Sequence, residues 1–187
     1  MKERIREQSI QLFAKKGFKE TSIQDIVDAL KVTKGTFYYY FSTKEQLLND
    51  IHLQYIDDLL NKQEDIINHP SKNSKMKLHE IVYMLISDIE KQGQSALVFF
   101  REMRNLSEEN LKLIVPKRDQ FRLNIQQLIE HGIEKEELRS DLPVDIVTLS
   151  ILGMTNWSYF WFDPNGRVND KEVSEIFLKI VLEGLEK

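Results

Sequence analysis

The chain has 187 residues, of which 41% are hydrophobic and 30% charged, with a formal net charge of −4 and no cysteine. This composition indicates a globular protein of one or two domains, and it excludes disulfides, thiol catalysis and cysteine-based zinc sites. No apolar run reaches the ~18 residues that span a bilayer, and the first residues lack the apolar core of a signal peptide. We therefore expect a cytoplasmic protein that does not associate with a membrane.

Charge is distributed unevenly along the chain. Residues 1–50 carry nine Lys or Arg and seven Asp or Glu, a net charge of +2, whereas the remainder carries seventeen and twenty-three, a net charge of −6. The positive excess at the N-terminal end supports contact with a polyanion in that region.

Helical periodicity recurs throughout and strand signals are nearly absent, which predicts an all-α fold. A first helix ends at residues 15–17, because Lys-Lys-Gly is typical of a helix C-terminus. Thr21 and Gln24 have the spacing of a capping box, which predicts the start of a second helix. Its apolar residues fall on one face: Ile23, Ile26, Val27 and Leu30.

The stretch Val32–Phe41 packs five aromatic residues into ten and follows a tight turn at 31–33. On a helix, Phe37 and Phe41 share one face, which we assign to the core, so the three intervening tyrosines point elsewhere. The helix start offers hydroxyls, a cation and a glycine that permits close backbone approach, all suited to a polyanion. A helix, a short turn and a second helix make a DNA-reading helix-turn-helix, which we place in a three-helix domain over residues 1–45.

Residues 46–187 are predicted to form a second domain of six helices for ligand binding and dimerisation. Ser42 and Glu45 resemble a capping box that begins a long helix. We expect a helix boundary at Gly93, and Pro116 predicts a kink or a fresh start within a later helix.

The two C-terminal helices carry more apolar surface than one small domain needs. Pro143 suits the first turn of one helix, which is apolar on nearly every side over residues 146–162. Asn169 and Glu172 cap the next helix, which has a wide apolar stripe. We expect a homodimer through these helices; packing within one chain is the alternative.

The first 48 residues resemble the DNA-binding domain of TetR-family (TetR/AcrR) transcriptional regulators. Four blocks in family order and spacing carry the resemblance: LFAKKGF at 12–18, TSIQDIV at 21–27, VTKGTFYYYF at 32–41 and KEQLL at 44–48. The resemblance implies an Ω-shaped homodimer of nine helices and repression that a small effector relieves. The family often has His where this chain has Tyr40, a change that could alter base preference but not the fold.

The same resemblance implies which residues contact operator DNA. The residues expected to meet phosphates are Thr21 or Ser22, Thr33, Thr36, Tyr39 and Lys44. Those expected nearest the base edges are Lys34, Gly35, Tyr38 and Tyr40. Phosphate contacts fix the register of a protein on DNA, and contacts with base edges read its sequence.

The C-terminal part resembles the branch of that family whose effectors are acyl-CoA thioesters, through FFREMRNLS at 99–107, KRD at 117–119, LGMTNW at 152–157 and WFDPNGR at 161–167. This resemblance implies an apolar tunnel for the acyl chain, with basic groups at its mouth for the CoA phosphates. The candidate lining residues are Phe99, Met103, Phe121, Ile125, Trp157 and Trp161. The candidate cations are Arg101, Arg104, Arg118 and Arg122.

Several of these residues are equally suited to structural roles. Trp157 and Trp161 also suit core or dimer packing, and Arg101 and Arg104 also suit ion pairs with neighbouring glutamates. Asn156 stands in a nearly all-apolar helix, where its amide needs a partner across the dimer or on a ligand.

The sequence favours a regulator that needs no cofactor beyond its effector. The four histidines lack the paired spacing of a metal site, and no nucleophile motif or phosphate-binding loop is present, so we expect neither a metal nor an enzyme. An acyl-CoA-responsive repressor of lipid or aromatic-acid catabolism is the favoured function, and a repressor of an efflux gene that senses drugs or other lipophiles is the alternative. A DNA-binding protein without a ligand would not need some 140 further helical residues.

Overall fold

The computed structural model describes residues 1–185, which contain no β-strand, so the predicted all-α fold is confirmed. The last two residues of the predicted second domain lie outside the described part. Eight α-helices and a 3-10 helix, η1, follow in the order α1 Lys2–Lys16, α2 Ile23–Leu30, α3 Lys34–Tyr40, α4 Lys44–Ile67, α5 Ser74–Glu102, η1 Met103–Asn105, α6 Glu108–Glu134, α7 Val144–Trp161 and α8 Asp170–Leu185. Over residues 1–185, none of the helices combines the length and apolar character needed to cross a membrane.

These helices form two compact units. Unit 1 comprises residues 1–57 and 94–116, and unit 2 comprises residues 58–93 and those from 117 onwards. Unit 1 therefore contains α1 to α3 together with the start of α4, the end of α5, η1 and the start of α6. The helices α4, α5 and α6 each contribute residues to both units.

The core of unit 1 includes the apolar faces of its first three helices, as the sequence predicts. Its largest buried side chains include Phe13 on α1, Ile26 on α2 and Phe37 on α3. Helix α1 ends at Gly17, whose φ of 93° favours glycine and whose amide donates to the Phe13 carbonyl at 2.9 Å. An ion pair joins α1 to α4, because Nε of the buried Arg6 lies 2.7 Å from a carboxylate oxygen of the half-buried Asp50.

Two predicted capping boxes are wrong by one residue. The cap of α2 is Ser22, whose hydroxyl accepts from the Asp25 amide at 3.1 Å, and not Thr21 with Gln24. Thr21 is buried and donates instead to the Gly17 carbonyl at 2.8 Å. Adjacent hydroxyl residues compete for one N-cap, and here the hydrogen bond of Thr21 to Gly17, four residues earlier, leaves the cap to Ser22.

The same displacement occurs at the start of α4. The Thr43 hydroxyl accepts from the Gln46 amide at 3.0 Å, so Thr43 occupies the N-cap position that the sequence assigned to Ser42. The Ser42 amide donates to the Gln46 side chain at 2.6 Å. Gln46, and not Glu45 as predicted, is therefore the residue whose side chain accepts from a backbone amide before the helix.

Helix α5 is longer than predicted, and helix α6 is not divided at its proline. Helix α5 runs without interruption through Gly93, so the predicted boundary there is wrong. A glycine within a helix costs about 1 kcal/mol relative to alanine, and the buried residues Ile89, Ala96 and Val98 on either side offset this cost. Helix α6 continues through Pro116, so no fresh start occurs at that proline.

In unit 2, buried polar groups as well as apolar ones join the helices. The buried side chain of Gln63 on α4 donates to the Phe121 carbonyl on α6 at 2.9 Å and accepts from Asn124 at 2.8 Å. A second cluster packs Ile89 of α5 against Phe162 and against Val173 of α8. The predicted Asn169–Glu172 capping box of α8 is confirmed, with amide-to-side-chain distances of 3.0 and 2.9 Å.

Candidate DNA-binding surface and effector region

Helix α3 buries Phe37 and exposes two of its three tyrosines. Thr33 caps the helix by accepting from the Thr36 amide at 3.2 Å. Phe37 is fully buried, whereas Tyr38 is 52% exposed and Tyr39 is 81% exposed. The result is an exposed helix face with aromatic rings and phenolic hydroxyls, held by a buried apolar face.

The N-terminal end of α3 is also open. Thr33, Lys34 and Gly35 are exposed, and Thr36 and Tyr40 are half-buried. A Cβ atom added to Gly35 would meet only the Thr33 hydroxyl at 3.5 Å, an ordinary contact. The fold of this unit therefore does not need glycine at position 35, and close approach by another molecule supplies a reason for it.

Lys44, at the start of α4, is engaged within unit 1. Its ammonium donates to the carbonyls of Phe18 at 2.8 Å and Thr21 at 2.7 Å, and it lies 4.3 Å from the centre of the Phe18 ring. These contacts leave one of its three N–H donors for another partner. Lys44 thus joins the start of α4 to the α1–α2 loop, next to the residues predicted to contact phosphates.

Of the two hydroxyls predicted as alternatives at the start of α2, only that of Ser22 lies at the surface. Its oxygen lies 2.8 Å from Asp25 Oδ2, and its amide lies 2.8 Å from the same atom. These hydrogen bonds, with a contact from Lys16, lower the pKa of Asp25 to about 2. The helix start therefore holds an ionised carboxylate, which complements the N-terminal end of the helix dipole.

The effector candidates on α5 and η1 belong to unit 1. Phe99 is buried, and its ring centre lies 5.2 Å from that of His52 and 5.0 Å from that of Tyr55 on α4. Arg101 directs its guanidinium to main-chain carbonyls of α1. Met103 is half-buried and Arg104 exposed in η1.

Sequence reasoning missed the role of His52, which is fully buried in unit 1. Its ring nitrogens lie 2.9 Å from the Leu48 carbonyl and 3.2 Å from the Phe99 carbonyl. Burial lowers its pKa, although these two carbonyls and Glu102 act in the opposite direction. The available signal was a histidine within the apolar stripe of α4, between Leu48 and Tyr55.

The remaining effector candidates belong to unit 2. On α6, Phe121 and Ile125 are buried, Arg122 is half-buried and Arg118 is exposed, with its Nη2 atom 3.5 Å from Asp119. On α7, Asn156 is half-buried. Among the described residues, no three His, Asp or Glu side chains converge in a way that could hold a metal ion.

Helix α7 buries three hydroxyl side chains together with Ile151, and it exposes several large apolar side chains. The buried hydroxyls of Thr148, Thr155 and Ser158 each donate to the carbonyl four residues earlier, at 2.8 to 3.0 Å. The exposed side chains include Trp157, at 65%, and Trp161. Core packing therefore does not explain these two tryptophans.

This outer surface continues onto α8, and we call it the α7–α8 face. Its large exposed residues are Ile146, Leu149, Trp157, Phe160, Trp161, Ile176 and Ile180. A groove of about 320 Å³ lies along it, lined by residues that include Ile146, Met154, Ile180 and Val181. An exposed apolar surface of this kind indicates that another molecule covers it.

Two family models together match most of the chain. Residues 5–51 match the model described as bacterial regulatory proteins, tetR family, and residues 71–185 match the tetracyclin repressor-like C-terminal domain. Among characterised relatives, the HTH-type transcriptional repressor KstR2 of Rhodococcus jostii (strain RHA1) is 28% identical over 176 residues, covering 93% of this chain and 85% of that protein.

Solved structures agree with these matches. The ketosteroid transcriptional regulator KstR2 of Mycobacterium tuberculosis has a TM-score of 0.92 at 26% identity, covering all of this chain and 95% of that one. AibR, solved with isovaleryl coenzyme A and operator DNA, has a TM-score of 0.87 at 21% identity, covering 97% of each chain. At that identity, the similarity to AibR establishes a common fold.

Proposed function

Because this chain belongs to the TetR family of DNA-binding transcriptional regulators and is not an enzyme, we propose that it represses transcription from a palindromic operator. In this proposal, a homodimer binds the operator and a small apolar effector releases it. An acyl-CoA thioester is the proposed class of effector. The exposed face of α3 is the observation that carries the proposal.

The chemistry of α3 suits the major groove of DNA. Tyr38 and Tyr39 present rings and hydroxyls, and Lys34 and Gly35 stand open at the helix start. The Thr33 and Thr36 hydroxyls lie 3.2 Å apart at the same end, where hydroxyls and helix N-termini commonly bind phosphate. The buried Phe37 side chain packs in the core and so fixes the position of this exposed helix face.

Operator binding can be tested without knowing the operator in advance. Duplexes selected from a random-sequence library by the wild-type protein serve as the probe for anisotropy titrations. We expect Lys34→Ala and Tyr38→Ala each to weaken binding about 5- to 150-fold, in line with the 1–3 kcal/mol that one good base contact provides. Tyr83→Ala and Lys91→Ala, at exposed positions of α5, are the matched controls.

Wild-type affinity in both α3 variants, with unchanged helicity, would refute the assignment of α3 to DNA. Loss of affinity in the α5 controls as well would point to a nonspecific effect. A selected consensus with two inverted half-sites, separated by about one helical turn or a multiple of it, would support binding as a dimer.

The α7–α8 face supports the homodimer. Isologous dimers form when one surface of each protomer covers the same surface of its partner. We expect Ile180→Glu to shift the wild-type dimer to monomer in analytical ultracentrifugation, because it buries a charge in an apolar interface. Lys179→Glu, at the neighbouring exposed position, is the control. A wild-type monomer at micromolar concentration would contradict the proposal.

The acyl-CoA class rests on two kinds of support. Arg118 lies three residues before the buried Phe121 on α6, and Arg122 lies three residues before the buried Ile125, which places each cation close to an apolar side chain. Among proteins of this fold, AibR has been solved with isovaleryl coenzyme A, and KstR2 of M. tuberculosis is a ketosteroid regulator. Cations suit the CoA phosphates, and apolar groups suit the acyl chain.

The effector class can be tested by release of the selected duplex. We expect isovaleryl-CoA or palmitoyl-CoA to release the protein, and free isovalerate and palmitate to be much weaker. Release by cationic lipophiles and by neither thioester would contradict the acyl-CoA proposal and support the multidrug alternative.

A further inference from the structure

The end of α5 holds the end of α1 through a charged side chain. Arg101 Nη2 donates to the carbonyl of Phe13 and to that of Ala14, the latter at 3.0 Å. Both carbonyls belong to the last turn of α1, where the helix dipole attracts a cation. The Phe13 carbonyl accepts from the Gly17 amide as well as from Arg101. The guanidinium therefore caps α1 from a position nearly ninety residues later in the chain.

A buried acid holds this guanidinium. Glu102 is only 3% exposed, and its Oε1 accepts from Arg101 Nε at 2.9 Å. Its Oε2 accepts from Nδ2 of the Asn105 side chain in η1 at 2.7 Å. A buried carboxylate is costly unless it is paired and hydrogen-bonded, so Glu102, Arg101 and Asn105 stabilise one arrangement together. We call these three residues the α5 clamp.

The clamp also meets the loop that follows α1. A Cβ atom added at Gly17 would lie 3.7 Å from Glu102 Oε1, so the carboxylate lies close to the loop backbone. The α1–α2 loop leads to the cap of α2, and α2 leads to α3. The clamp thus acts on the segment that positions the α3 surface, and all of these contacts lie within unit 1.

The sequence-based hypothesis assigned Arg101 to the phosphates of a CoA effector. Its guanidinium donates instead to protein carbonyls and to Glu102. Helix α5 runs without a break from residue 74 into the clamp, and it also carries residues of unit 2. A displacement of the end of α5 would therefore pull on α1 through directional hydrogen bonds.

We propose that the α5 clamp conveys effector binding to the DNA-binding helices, with Arg101 as the positioning residue. This inference rests on the proposed release of operator DNA by an acyl-CoA. In the absence of effector, the clamp fixes the end of α1 and holds α3 in the arrangement that binds DNA. With effector bound, the end of α5 moves and carries α1 with it.

The test compares operator affinity with and without effector in the full-length protein. Wild type and Arg101→Ala are titrated against the selected duplex, alone and with saturating palmitoyl-CoA or isovaleryl-CoA. Coupling between sites usually changes affinity about 5- to 150-fold, and we expect such a loss in the wild type. We expect the Arg101→Ala variant to lose less than about twofold while still binding the thioester in the absence of DNA.

Arg101→Ala leaves Glu102 buried without its partner, so this variant risks unfolding. The double variant Arg101→Met with Glu102→Gln removes both charges of the pair at similar volume and keeps the test valid. Lys112→Ala, at an exposed basic position of unit 1, is the control and should respond as the wild type does. Hydrogen exchange adds a local measurement, and we expect faster exchange at the Gly17 amide in the clamp variants.

The outcomes separate this inference from the proposed function. If both thioesters release the wild type and the clamp variants equally, the clamp does not convey the signal and the inference alone fails. If neither thioester releases the wild type, the acyl-CoA proposal fails and the inference fails with it. Loss of release in the clamp variants, with thioester binding retained, supports both.

Discussion

The two units expose aromatic side chains of different chemistry. On α3 of unit 1 the phenylalanine is buried and two of the three tyrosines face solvent, whereas on α7 of unit 2 the tryptophans and Phe160 face solvent and hydroxyl side chains are buried. A tyrosine keeps its hydroxyl hydrated and can donate to phosphates or base edges. An exposed phenylalanine or tryptophan face gains most from burial against an apolar partner. The difference indicates a nucleic-acid surface on unit 1 and a protein-binding surface on unit 2.

Replacing the buried phenylalanine of α3 should have the largest effect on stability. Phe37→Ala removes a fully buried ring, and we expect it to lower the free energy of unfolding by about 3–5 kcal/mol. Tyr39→Ala, two residues later at an exposed position, should change stability by less than about 0.5 kcal/mol. Urea denaturation of both variants measures the contrast, and equal losses would show that the inner and outer faces of α3 are misassigned.

Unit 2 depends on a close packing contact at Gly132. A Cβ atom there would lie 2.7 Å from a methyl carbon of Leu138 and 3.0 Å from Ser74 Cβ, near the start of α5. We expect Gly132→Ala to cost about 1–3 kcal/mol, the usual range for overpacking, in spite of its gain in helix propensity. A variant as stable as the wild type in the same urea titration would show that Leu138 moves aside at little cost.

The buried histidine should make unit 1 sensitive to mild acid. Burial lowers the pKa of His52 below that of the unfolded chain, so the unfolded state binds more protons once the pH falls below about 6.5. Stability should therefore fall as the pH drops from about 7.5 to 5. His52→Phe should flatten this dependence in thermal unfolding scans, and an unchanged pH profile in this variant would contradict the assignment.

Gly35→Ala should have the smallest effect on stability of these variants, although it should weaken operator binding. Because the new Cβ meets only the Thr33 hydroxyl at 3.5 Å, we expect stability to be unchanged or higher by up to about 1 kcal/mol. Operator affinity should nevertheless fall, since the added methyl group would keep the helix start away from DNA. A variant with unchanged stability and unchanged affinity would remove Gly35 from the DNA-binding surface.

Local patterns predicted much of the fold. The apolar periodicities of α1 to α3, the end of α1 at Gly17 and the capping box at Asn169 follow from interactions within a few residues. The caps of α2 and α4 were misplaced because Thr21 and Ser42 hydrogen-bond instead to residues four positions away, Gly17 and Gln46, and spacing alone does not choose between adjacent hydroxyl residues. The uninterrupted α5 was missed for a similar reason, since packing on both sides of Gly93 outweighs its low helix propensity.

The functional surfaces were predictable to different degrees. The α3 residues lie together within one short helix, so their sequence order specifies their arrangement. The proposed effector residues come from three α-helices and η1 and from both units, and periodicity alone cannot bring them together. The interaction of Arg101 with α1 joins residues 87 and 88 positions apart, and no local pattern predicts such a contact.

Site-specific photocrosslinking tests the central claim most directly, that the exposed tyrosines of α3 lie against DNA. Benzoylphenylalanine replaces Tyr39 in one variant and Tyr83 of α5 in a control, and each is irradiated with the selected duplex. We predict a crosslink to DNA from position 39 that excess unlabelled duplex abolishes, and none from position 83. Bound DNA that crosslinks from position 83 and not from position 39 would contradict the account.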